Sequence, residues 1–544
     1  MTKITAVLVP TAANRAVGEQ SQLTLESLRG CVVGFIDNAK PNFRDLVDDL
    51  AELLVSRYGV RKTIKLRKRA ASVPAPEAFL KELAESCDLV ITGSGDLGAC
   101  TSWSVHDSVE MAKREVVAVE ICSTAFVTLG RAQARALGYA KLPIAEVPHP
   151  FGTVDRATVR KFAEKCVDDI AALVCLPPVA SSTTGEKATT DKGAGADELN
   201  IEHTPNLFAE FNRVCRDRRW SDGLPVMPTT RPAVNAMLAH TKRPPQEVVA
   251  RLAPGFGAAT VECIAINAVL AGCDPGYMPV LLAAVEAIAT QRFNLQSIQS
   301  TTNPAAVWVI VNGPVAERLG VNGKFNCLGE GVWANATIGR ALRLILRNIS
   351  GALPGDMDRA TQGQPGKYSF CCAENETENP WEPLHVERGF ARDQSTVTVV
   401  GAEGTMNMCT LVKDADELIR VIAGTLRHPP SNEYVHSGEP WLVLCPEHAE
   451  ILRDAGYSKA EVKRRLWEAS KMPASEFSAE DLSRAQPSRA AELGAIGPDT
   501  LLPISQKPDD IGIIVAGGSG AHSVYVPCFG NTRSVTIEIP VDDG

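Results

Sequence analysis

The sequence has no long apolar run and no excess of basic charge. No stretch approaches the roughly 20 apolar residues that cross a bilayer, and the opening MTKITAVLVPTAANRAVGE lacks the apolar region of an export signal. The formal net charge is -9, and no basic stripe is present that could neutralise phosphates. We therefore expect a cytoplasmic protein that acts on a small molecule, with no nucleic acid and no membrane as partner.

Aromatic residues are scarce at 5%, and the 15 cysteines follow no regular framework. Several cysteines lie in apolar contexts such as LVCLPP, so we expect reduced thiols that mostly pack as small hydrophobic side chains. The chain of 544 residues, of which 45% are hydrophobic and 22% charged, exceeds what one core normally organises. This composition predicts a globular protein of two or three domains.

A stretch of small, polar and charged residues divides the chain. VASSTTGEKATTDKGAGADELNIE begins at Val179, and no large apolar residue follows that valine before Leu199. Such a composition is typical of a flexible linker. We predict a first domain at residues 1–178, a linker at 179–203 and a larger second domain at 204–544.

The first domain alternates apolar runs with segments of helical spacing. The predicted strands are CVVGFID, TIKLR, DLVITG, EVVAVEI and LPIAEVP. Alternating elements imply parallel strands joined by right-handed crossovers, with strands buried on both faces. The fold class is therefore predicted as α/β, with a flavodoxin-like or Rossmann-like doubly wound parallel sheet at the N-terminal end.

The second domain contains four strand-like runs that end in glycine or proline turns. These runs are AAVWVIVNGP, STVTVVGAEG, WLVLCPEH and DIGIIVAGGSGAH. They share a pattern but few residues, so they predict α/β units rather than a sequence repeat. Ser458, with Glu461 three residues later, has the spacing of a capping box and predicts a helix start. We predict a larger C-terminal α/β domain.

The best candidate for chemistry is the thiol of Cys100 in the loop GSGDLGACTSW. Gly98, Cys100, Thr101 and Ser102 fall at the predicted start of a helix, where unpaired backbone N–H groups favour anions. The same field favours a thiolate, so Cys100 is a candidate nucleophile, with Thr101, Ser102 and Gly98 as candidate substrate contacts. The alternative is that Cys100 is a buried small residue at a strand–helix turn.

The same loop also reads as a dinucleotide fingerprint. Gly93, Gly95 and Gly98 spell G-x-G-x-x-G, and Glu120 ends the next strand, roughly where an acid that binds a ribose would lie. However, the loop follows the third strand of its domain, whereas the fingerprint usually opens the fold. A dinucleotide is therefore the less favoured interpretation.

Polar residues after two other strands are expected at the same edge of the sheet. Asp37 and Asn38 are candidate substrate contacts, and Lys40 could stabilise a thiolate or hold a substrate carboxylate. His149, in VPHPFG after the fifth strand, is the preferred general base, ahead of His106, which is predicted to be a residue on a helix surface. Together these residues predict a polar pocket beside the thiol.

The densest polar segment of the second domain is KYSFCCAENETENPWEPLHVERGF. Glu374, Trp381 and His385 are candidate substrate contacts, because the aromatic residues suggest a loop packed against the first domain. A metal site of Glu374, Glu382 and His385 is an alternative, although Pro383 interrupts the helical spacing of its last two members. The remaining alternative is a long surface loop.

Near the C-terminus, glycines follow the strongly apolar run IGIIVAGGSGAH. Gly518 and Ser519 would allow close approach to an anion, and His522 could exchange a proton. These three residues are further candidate substrate contacts. The alternative is a tight bend between strands.

The run VITGSGDLGACTSWSVHDSVE, together with GFIDNAKPN and PHPFG, resembles the UGSC-motif family of selenoproteins and their cysteine relatives. More distantly, it resembles the substrate-binding component B of glycine reductase. The family motif falls on Leu97–Cys100, so the first redox position is a leucine and only the last thiol is kept. WSDGLPVMPTT and NPWEPLHVERGF are similar to the C-terminal extension found with such domains, which implies an active site shared between the two domains.

The resemblance implies a thiol-dependent enzyme, an oxidoreductase or lyase, that makes or breaks a carbon–heteroatom bond in a small anionic metabolite. Cys100, His149 and Lys40 are the predicted catalytic residues. A metal-dependent lyase or hydrolase and a non-catalytic protein that handles thiols or selenium remain alternatives. No cofactor is firmly implied, although a metal ion is possible, and a homo-oligomer and a redox partner protein also remain open.

Overall fold

The computed structural model describes residues 4–12, 20, 22–175, 197–202, 206–429 and 431–540. The strands are β1 (Ile4–Leu8), β2 (Val32–Asp37), β3 (Lys62–Arg67), β4 (Leu89–Gly95), β5 (Val117–Ser123), β6 (Ile144–Val147), β7 (Glu198–Glu202), β8 (Val248–Leu252), β9 (Gly257–Thr260), β10 (Ala306–Asn312), β11 (Cys371–Ala373), β12 (Thr396–Ala402), β13 (Met406–Cys409), β14 (Trp441–Leu444), β15 (Met472–Pro473), β16 (Leu501–Leu502), β17 (Gly512–Val515), β18 (His522–Val526) and β19 (Val535–Glu538).

Helices alternate with strands in the first domain and cluster in the second. They are α1 (Phe43–Tyr58), α2 (Glu77–Ser86), α3 (Gly98–Ala112), α4 (Val127–Ala136), α5 (Arg156–Val174), α6 (Leu207–Asp217), α7 (Arg231–Leu238), α8 (Val261–Ala271), α9 (Met278–Ala289), α10 (Leu295–Ser300), α11 (Pro314–Arg318), α12 (Trp333–Asn348), α13 (Leu384–Glu387), α14 (Ala415–Leu426), α15 (Asn432–His436), α16 (Pro446–Asp454), α17 (Lys459–Ala469) and α18 (Ala479–Leu493). In the parts of the chain that the structure describes, no helix has both the length and the apolar character of a membrane span.

The first domain is a five-stranded parallel sheet with helices on both faces. Its strand order is β3-β2-β4-β5-β6, and every neighbouring pair is parallel. This is the flavodoxin-like order of a doubly wound fold, in which the chain reverses direction across the sheet between β2 and β4. α1 and α5 share a core on one face, and α2, α3 and α4 cover the other. The predicted fold class is confirmed.

The sequence explains why these strands lie at the centre of the sheet. Every residue of β2, β4 and β5 is buried, as expected for valine-rich and isoleucine-rich runs covered on both faces. α1 ends at Gly59, whose φ of 69° stops the helix and returns the chain to β3. α5 begins at Asp155, whose carboxylate accepts the N–H of Thr158 at 3.0 Å.

The second domain is built on two mixed four-stranded sheets and a group of apolar helices. One sheet has the order β11-β10-β12-β19 and the other β13-β18-β14-β17. The four predicted strand-like runs form β10, β12, β14 and β17, so the C-terminal α/β prediction is confirmed. Trp308 and Trp441 meet edge to face between the sheets, and α8, α9 and α12 pack into the largest core of the molecule.

The first strand of the chain, β1, pairs with β7 and packs into the core of the second domain. β1 and β7 are antiparallel partners, and Val7, Leu8 and Ile201 are buried in the same core as the second domain's helices. The structure therefore joins residues 4–8 to the second domain, although the predicted boundary assigns residues 1–178 to the first. Of the predicted linker, residues 179–196 and 203 lie outside the described residues, and Glu198–Glu202 is the strand β7.

The two domains meet where α10 packs against the start of α3. A Cβ at Gly98 would lie 1.6 Å from the backbone oxygen of Ser300, so only glycine permits this approach. The Gln296 amide donates to the carbonyl of Ser102 at 3.1 Å, and the Trp103 indole donates to the hydroxyl of Ser297 at 2.9 Å. The second domain thus covers the helix that carries Cys100.

Candidate active site

A cavity of about 70 Å³ opens where the loops after β2, β3 and β4 meet the second domain. The edge between β2 and β4 is the topological switch point of the sheet, where ligands commonly bind in open α/β folds. The walls come from both domains. They include Lys40, Arg69, Ser72 and Cys100 from the first domain and Asn303, Asn432, His436, Arg484 and Phe529 from the second.

Cys100 occupies the third position of α3 and lines this cavity, although only 2% of its surface is exposed. Its Sγ accepts the backbone N–H of Leu97 at 3.0 Å, and the thiol donates to the carbonyl oxygen of the same residue at 3.2 Å. A glutamate commonly makes this contact from the third position of a helix. Here a sulfur atom takes that place, so the N–H of Leu97 is oriented to stabilise a thiolate.

Lys40 approaches the same sulfur from the loop after β2. Ala39 precedes it in the left-handed region, at φ 64°. Burial and the nearby Arg484 lower the pKa of Lys40, while the charges of Cys100 and Asp96 act in the opposite direction. No hydrogen-bond or ion-pair partner of Lys40 Nζ is found among the residues that the structure describes. This ammonium group is therefore available to a thiolate or a ligand.

Asp37 and Asn38 shape the loop that presents Lys40. The carboxylate of Asp37 accepts the N–H of Ala39 at 2.8 Å, and burial raises its pKa. Asn38 accepts the N–H of Lys40 at 3.3 Å and donates to the carbonyl of Ser94 at 2.9 Å. Both side chains are buried, so they position the backbone of the loop instead of facing the cavity.

Arg69 lies on the loop after β3, next to a buried ion pair. Lys68 Nζ is 2.7 Å from the carboxylate of Asp107, and each side chain is only 1% exposed. This pair ties the loop to α3. Arg69 then reaches across the domain boundary, where it donates to the side-chain oxygen of Asn531 at 2.7 Å. It has no carboxylate partner among the described residues.

The second domain contributes a histidine and an arginine to the opposite wall. His436 Nδ1 lies 3.0 Å from the hydroxyl of Ser488, and its Nε2 lies 3.4 Å from Arg484. Burial and then the charges of Arg484, Lys40 and Arg69 lower the pKa of His436 well below its ordinary value. The imidazole is therefore neutral at neutral pH and holds the guanidinium of Arg484 at the cavity.

The lining of the cavity is positively charged. Lys40, Arg69 and Arg484 are cations, and none of the described residues that line the cavity has a carboxylate side chain. A cavity with this lining attracts anions, although the chain as a whole has a net charge of -9. The wall therefore combines one thiol with three cationic groups.

Thr101 and Ser102 do not line the cavity, although both were predicted as substrate contacts. The Thr101 hydroxyl donates to the carbonyl of Leu97 at 2.6 Å. The Ser102 hydroxyl donates to Gln133 at 3.1 Å, within the core of the domain. Gly98, a third predicted contact, faces the backbone of α10 because the second domain occupies the space in front of it.

His149 lies beside Asp96 and does not line the cavity. Its Nδ1 is 3.1 Å from the Asp96 carboxylate and also 3.1 Å from the hydroxyl of Ser123. Asp96 accepts the N–H of Gly152 at 2.9 Å. His106 contacts Asp107 and the ring of Trp103 along α3. The histidine in the cavity wall is His436.

The dinucleotide interpretation does not fit the loop. Glu120 is 0% exposed, and burial raises its pKa well above the ordinary value, so it cannot reach a ribose. Neither of its carboxylate oxygens has a hydrogen-bond partner among the described residues. The space beside Gly98, where a pyrophosphate would approach a helix start, is filled by the backbone of Ser300.

The polar segment near Glu374 belongs to the interior of the second domain. The carboxylate of Glu374 accepts hydrogen bonds from the side-chain amides of Asn312 and Asn379 and from the N–H of Leu384, all within 2.9 Å. His385, from the same predicted sets, is also buried, whereas the side chain of Glu382 is exposed.

The other members of that segment make contacts within their own domain. His385 is fully buried, the Trp381 indole donates to the carbonyl of Tyr457, and the carbonyl of Glu382 accepts Lys459. The described residues contain no group of three or more His, Cys, Asp or Glu side chains arranged to hold a metal ion. The metal alternative is therefore not supported, and this segment does not line the cavity.

The glycine-rich segment after β17 is also separate from the cavity. A Cβ at Gly518 would overlap the ring of Phe325, at 2.1 Å. Ser519 is exposed, and His522 Nδ1 is 3.0 Å from the side-chain oxygen of Asn407. Gly518 and Ser519 therefore lie in the turn between β17 and β18, and His522 is the first residue of β18.

Sequence reasoning missed Arg69, His436 and Arg484. Arg69 could have been found, because it follows a strand next to β2 in a parallel sheet, whose carboxyl ends share one edge. His436 and Arg484 lie on helices far along the chain, in segments with no recognisable motif. Only the docking of the domains brings them to the thiol.

The fold and the cavity define an α/β protein of flavodoxin-like topology with a thiol at its switch point. The UGSC family model matches residues 6–175. This match over the first domain confirms the resemblance to the UGSC family, while the more distant resemblance to component B of glycine reductase stays a prediction. No curated protein and no solved structure matches the chain.

Proposed function

We propose that this protein is a thiol-dependent enzyme that makes or breaks a carbon–heteroatom bond in a small anionic metabolite, with Cys100 as the nucleophile. One observation carries the proposal: the cavity at the switch point combines the Cys100 thiol with Lys40, Arg69 and Arg484, and the described residues of its lining include no carboxylate. Cations and the start of a helix favour both a thiolate and an anionic substrate.

The proposed step is a nucleophilic substitution at carbon. The Cys100 thiolate, supported by the N–H of Leu97 and by Lys40, donates an electron pair to an electrophilic carbon of the substrate. A C–S bond forms, and the carbon–heteroatom bond breaks with its electron pair on the leaving group, which takes up a proton. Water can then release the product by attack on the same carbon, which restores the thiol.

The surroundings of the sulfur favour a nucleophile over a dithiol redox pair. Leu97 occupies the first redox position of the family motif, and no cysteine other than Cys100 lines the cavity in the part of the chain that the structure describes. Cys122 is fully buried, and its thiol contacts the carbonyl of Gly95. A redox cycle would therefore require a thiol from another molecule. Location in the cytoplasm remains a prediction.

Selective alkylation tests the proposal. We expect iodoacetamide to modify Cys100 in the folded protein faster than an ordinary exposed thiol at the same pH. Cys409, the exposed cysteine of β13, serves as the internal reference in the same sample, with both peptides quantified by mass spectrometry. The proposal fails if Cys409 is alkylated while Cys100 remains inert until the protein unfolds.

A further inference from the structure

We infer that the cavity selects a small monocarboxylate, which Arg69 and Arg484 hold from the two domains so that its reactive carbon meets Cys100. This inference rests on the proposed function and adds the charge, size and orientation of the ligand. Neither arginine lies in the part of the chain that shows a motif, and each approaches the cavity from a different domain.

The cationic side chains at the cavity outnumber their acidic partners. Arg484 has an acidic partner, because its guanidinium lies 3.3 Å from the carboxylate of Asp481. Lys40 and Arg69 have no such partner among the residues that the structure describes. Two positive charges are therefore left over. A Cys100 thiolate compensates one of them, and a ligand with a single negative charge compensates the other.

Lys40 and Arg69 have different surroundings in the cavity wall. Lys40 and Cys100 line the same cavity from neighbouring strands of the first domain, and the charge of Cys100 counteracts the lowering of the Lys40 pKa by burial, so we place this ammonium group beside the sulfur. Arg69 instead bonds the neutral side chain of Asn531, which leaves its positive charge without an anion. A guanidinium group presents paired donors that match the two oxygens of a carboxylate. The carboxylate is therefore assigned to the two arginines and the reactive carbon to the side of the thiol.

The guanidinium of Arg484 is held in a fixed orientation. The neutral His436 accepts from this guanidinium and is itself held by Ser488, which lies one helical turn beyond Arg484 on α18. His436 therefore acts as a positioning residue. Because it carries no charge at neutral pH, it does not change the charge count at the cavity.

The size of the cavity limits the ligand. About 70 Å³ corresponds to roughly two water molecules, each of which takes about 30 Å³ in the liquid. A short-chain acid with one reactive carbon next to the carboxylate fits this space. A dicarboxylate would bring a second negative charge close to the thiolate, where like charges repel in a partly buried site.

A pair of alkylating reagents that differ in charge tests the inference. Iodoacetate and iodoacetamide form the same C–S bond and release the same iodide ion, but only iodoacetate has a carboxylate. We expect the ratio of the iodoacetate rate to the iodoacetamide rate to be about tenfold higher at Cys100 than at the exposed Cys409. This ratio should fall towards that of Cys409 in Arg69→Gln and in Arg484→Gln.

Two further variants control for loss of charge and loss of folding. Arg453→Gln removes an exposed arginine that pairs only with Asp454 and should leave the ratio unchanged. Arg69→Lys keeps the charge without the fork of donors and should retain part of the preference, which shows that the loop is still folded. Equal ratios at Cys100 and Cys409 in the unmodified protein would overturn the monocarboxylate.

The outcomes separate the two proposals. If Cys100 reacts readily with iodoacetamide but shows no preference for iodoacetate, the proposed function stands and the inference is wrong. If neither reagent reaches Cys100, the proposed function itself is wrong. Protection provides the second measurement: propionate should shield Cys100 from iodoacetamide at lower concentrations than malonate or inorganic phosphate. The reverse order would show that the cavity prefers a doubly charged anion and would overturn the inference.

Discussion

Glu433 is a buried acid whose titration should make the stability of the second domain depend on pH. Its side chain is 0% exposed, and it accepts a hydrogen bond from the Tyr525 hydroxyl and another, at 2.9 Å, from the N–H of Cys528. Burial raises the pKa of Glu433 from 4.5 to about 8. The folded protein therefore retains a proton that the unfolded chain loses at much lower pH.

The sign of the effect follows from proton binding. Between pH 4.5 and about 8 the folded state binds more protons than the unfolded state, so stability falls as pH rises through this range. The contribution of Glu433 is fully present below pH 4.5 and is lost once the pH passes its folded pKa. Each pH unit corresponds to about 1.4 kcal/mol, so the full contribution is at most about 5 kcal/mol.

Glu433→Gln removes the titration and keeps the shape of the side chain. The amide oxygen can accept from Cys528, and the amide nitrogen can donate to the oxygen of Tyr525. We expect the variant to be less stable than, or equal to, the unmodified protein at pH 5 and more stable at pH 9. The nearby Glu403, whose pKa burial raises to about 7, is common to both proteins.

The assay is urea unfolding of both proteins at several values between pH 5 and pH 9, followed by the fluorescence of the second domain's tryptophans. The measured quantity is the difference in unfolding free energy between variant and unmodified protein at each pH. A difference that stays constant across this range would refute the reasoning, because it would mean that Glu433 has the same pKa in both states.

Two further predictions concern the contacts that assemble the cavity. Gly98→Ala places a methyl group 1.6 Å from the Ser300 oxygen, so the domains must separate locally. We expect the free energy of unfolding to fall by at least about 1–3 kcal/mol and hydrogen exchange in α10 to become faster. Unchanged exchange in α10 would contradict this prediction. Lys68→Met leaves Asp107 buried without its cation and should cost about 3–5 kcal/mol in urea unfolding, whereas a loss below about 1 kcal/mol would show that the pair is not desolvated.

The fold of the first domain could be predicted because local patterns determine it. β2, β4 and β5 are apolar runs buried on both faces. Such runs indicate a parallel sheet even when the distant contacts of the chain are unknown. The helix start at Ser458 was also visible, since its hydroxyl accepts the N–H of Glu461 at 3.2 Å. The other half of the predicted capping box is not formed, because the Glu461 side chain bonds Arg464 and Arg465 instead.

The site could be predicted only in part. Lys40 and Cys100 follow strands that are neighbours in the sheet, and both line the cavity; their catalytic roles stay predictions. Glu374 was chosen for the polarity of its segment, but neighbouring donors already satisfy its carboxylate. His436 and Arg484 reach the thiol through the packing of one domain on the other, which no local pattern encodes.

The pairing of β1 with β7 has a consequence for how the molecule can be dissected. Residues 4–8 and 198–202 form one antiparallel ribbon, so the flavodoxin-like sheet is inserted into the second domain and tethered to it at both ends. A cut within 179–196 would leave Val7 and Leu8 on a fragment that lacks their partner strand. A cleaved or separately expressed pair of halves should therefore remain associated through this ribbon, and a truncation that starts after residue 8 should destabilise the second domain, which loses β1.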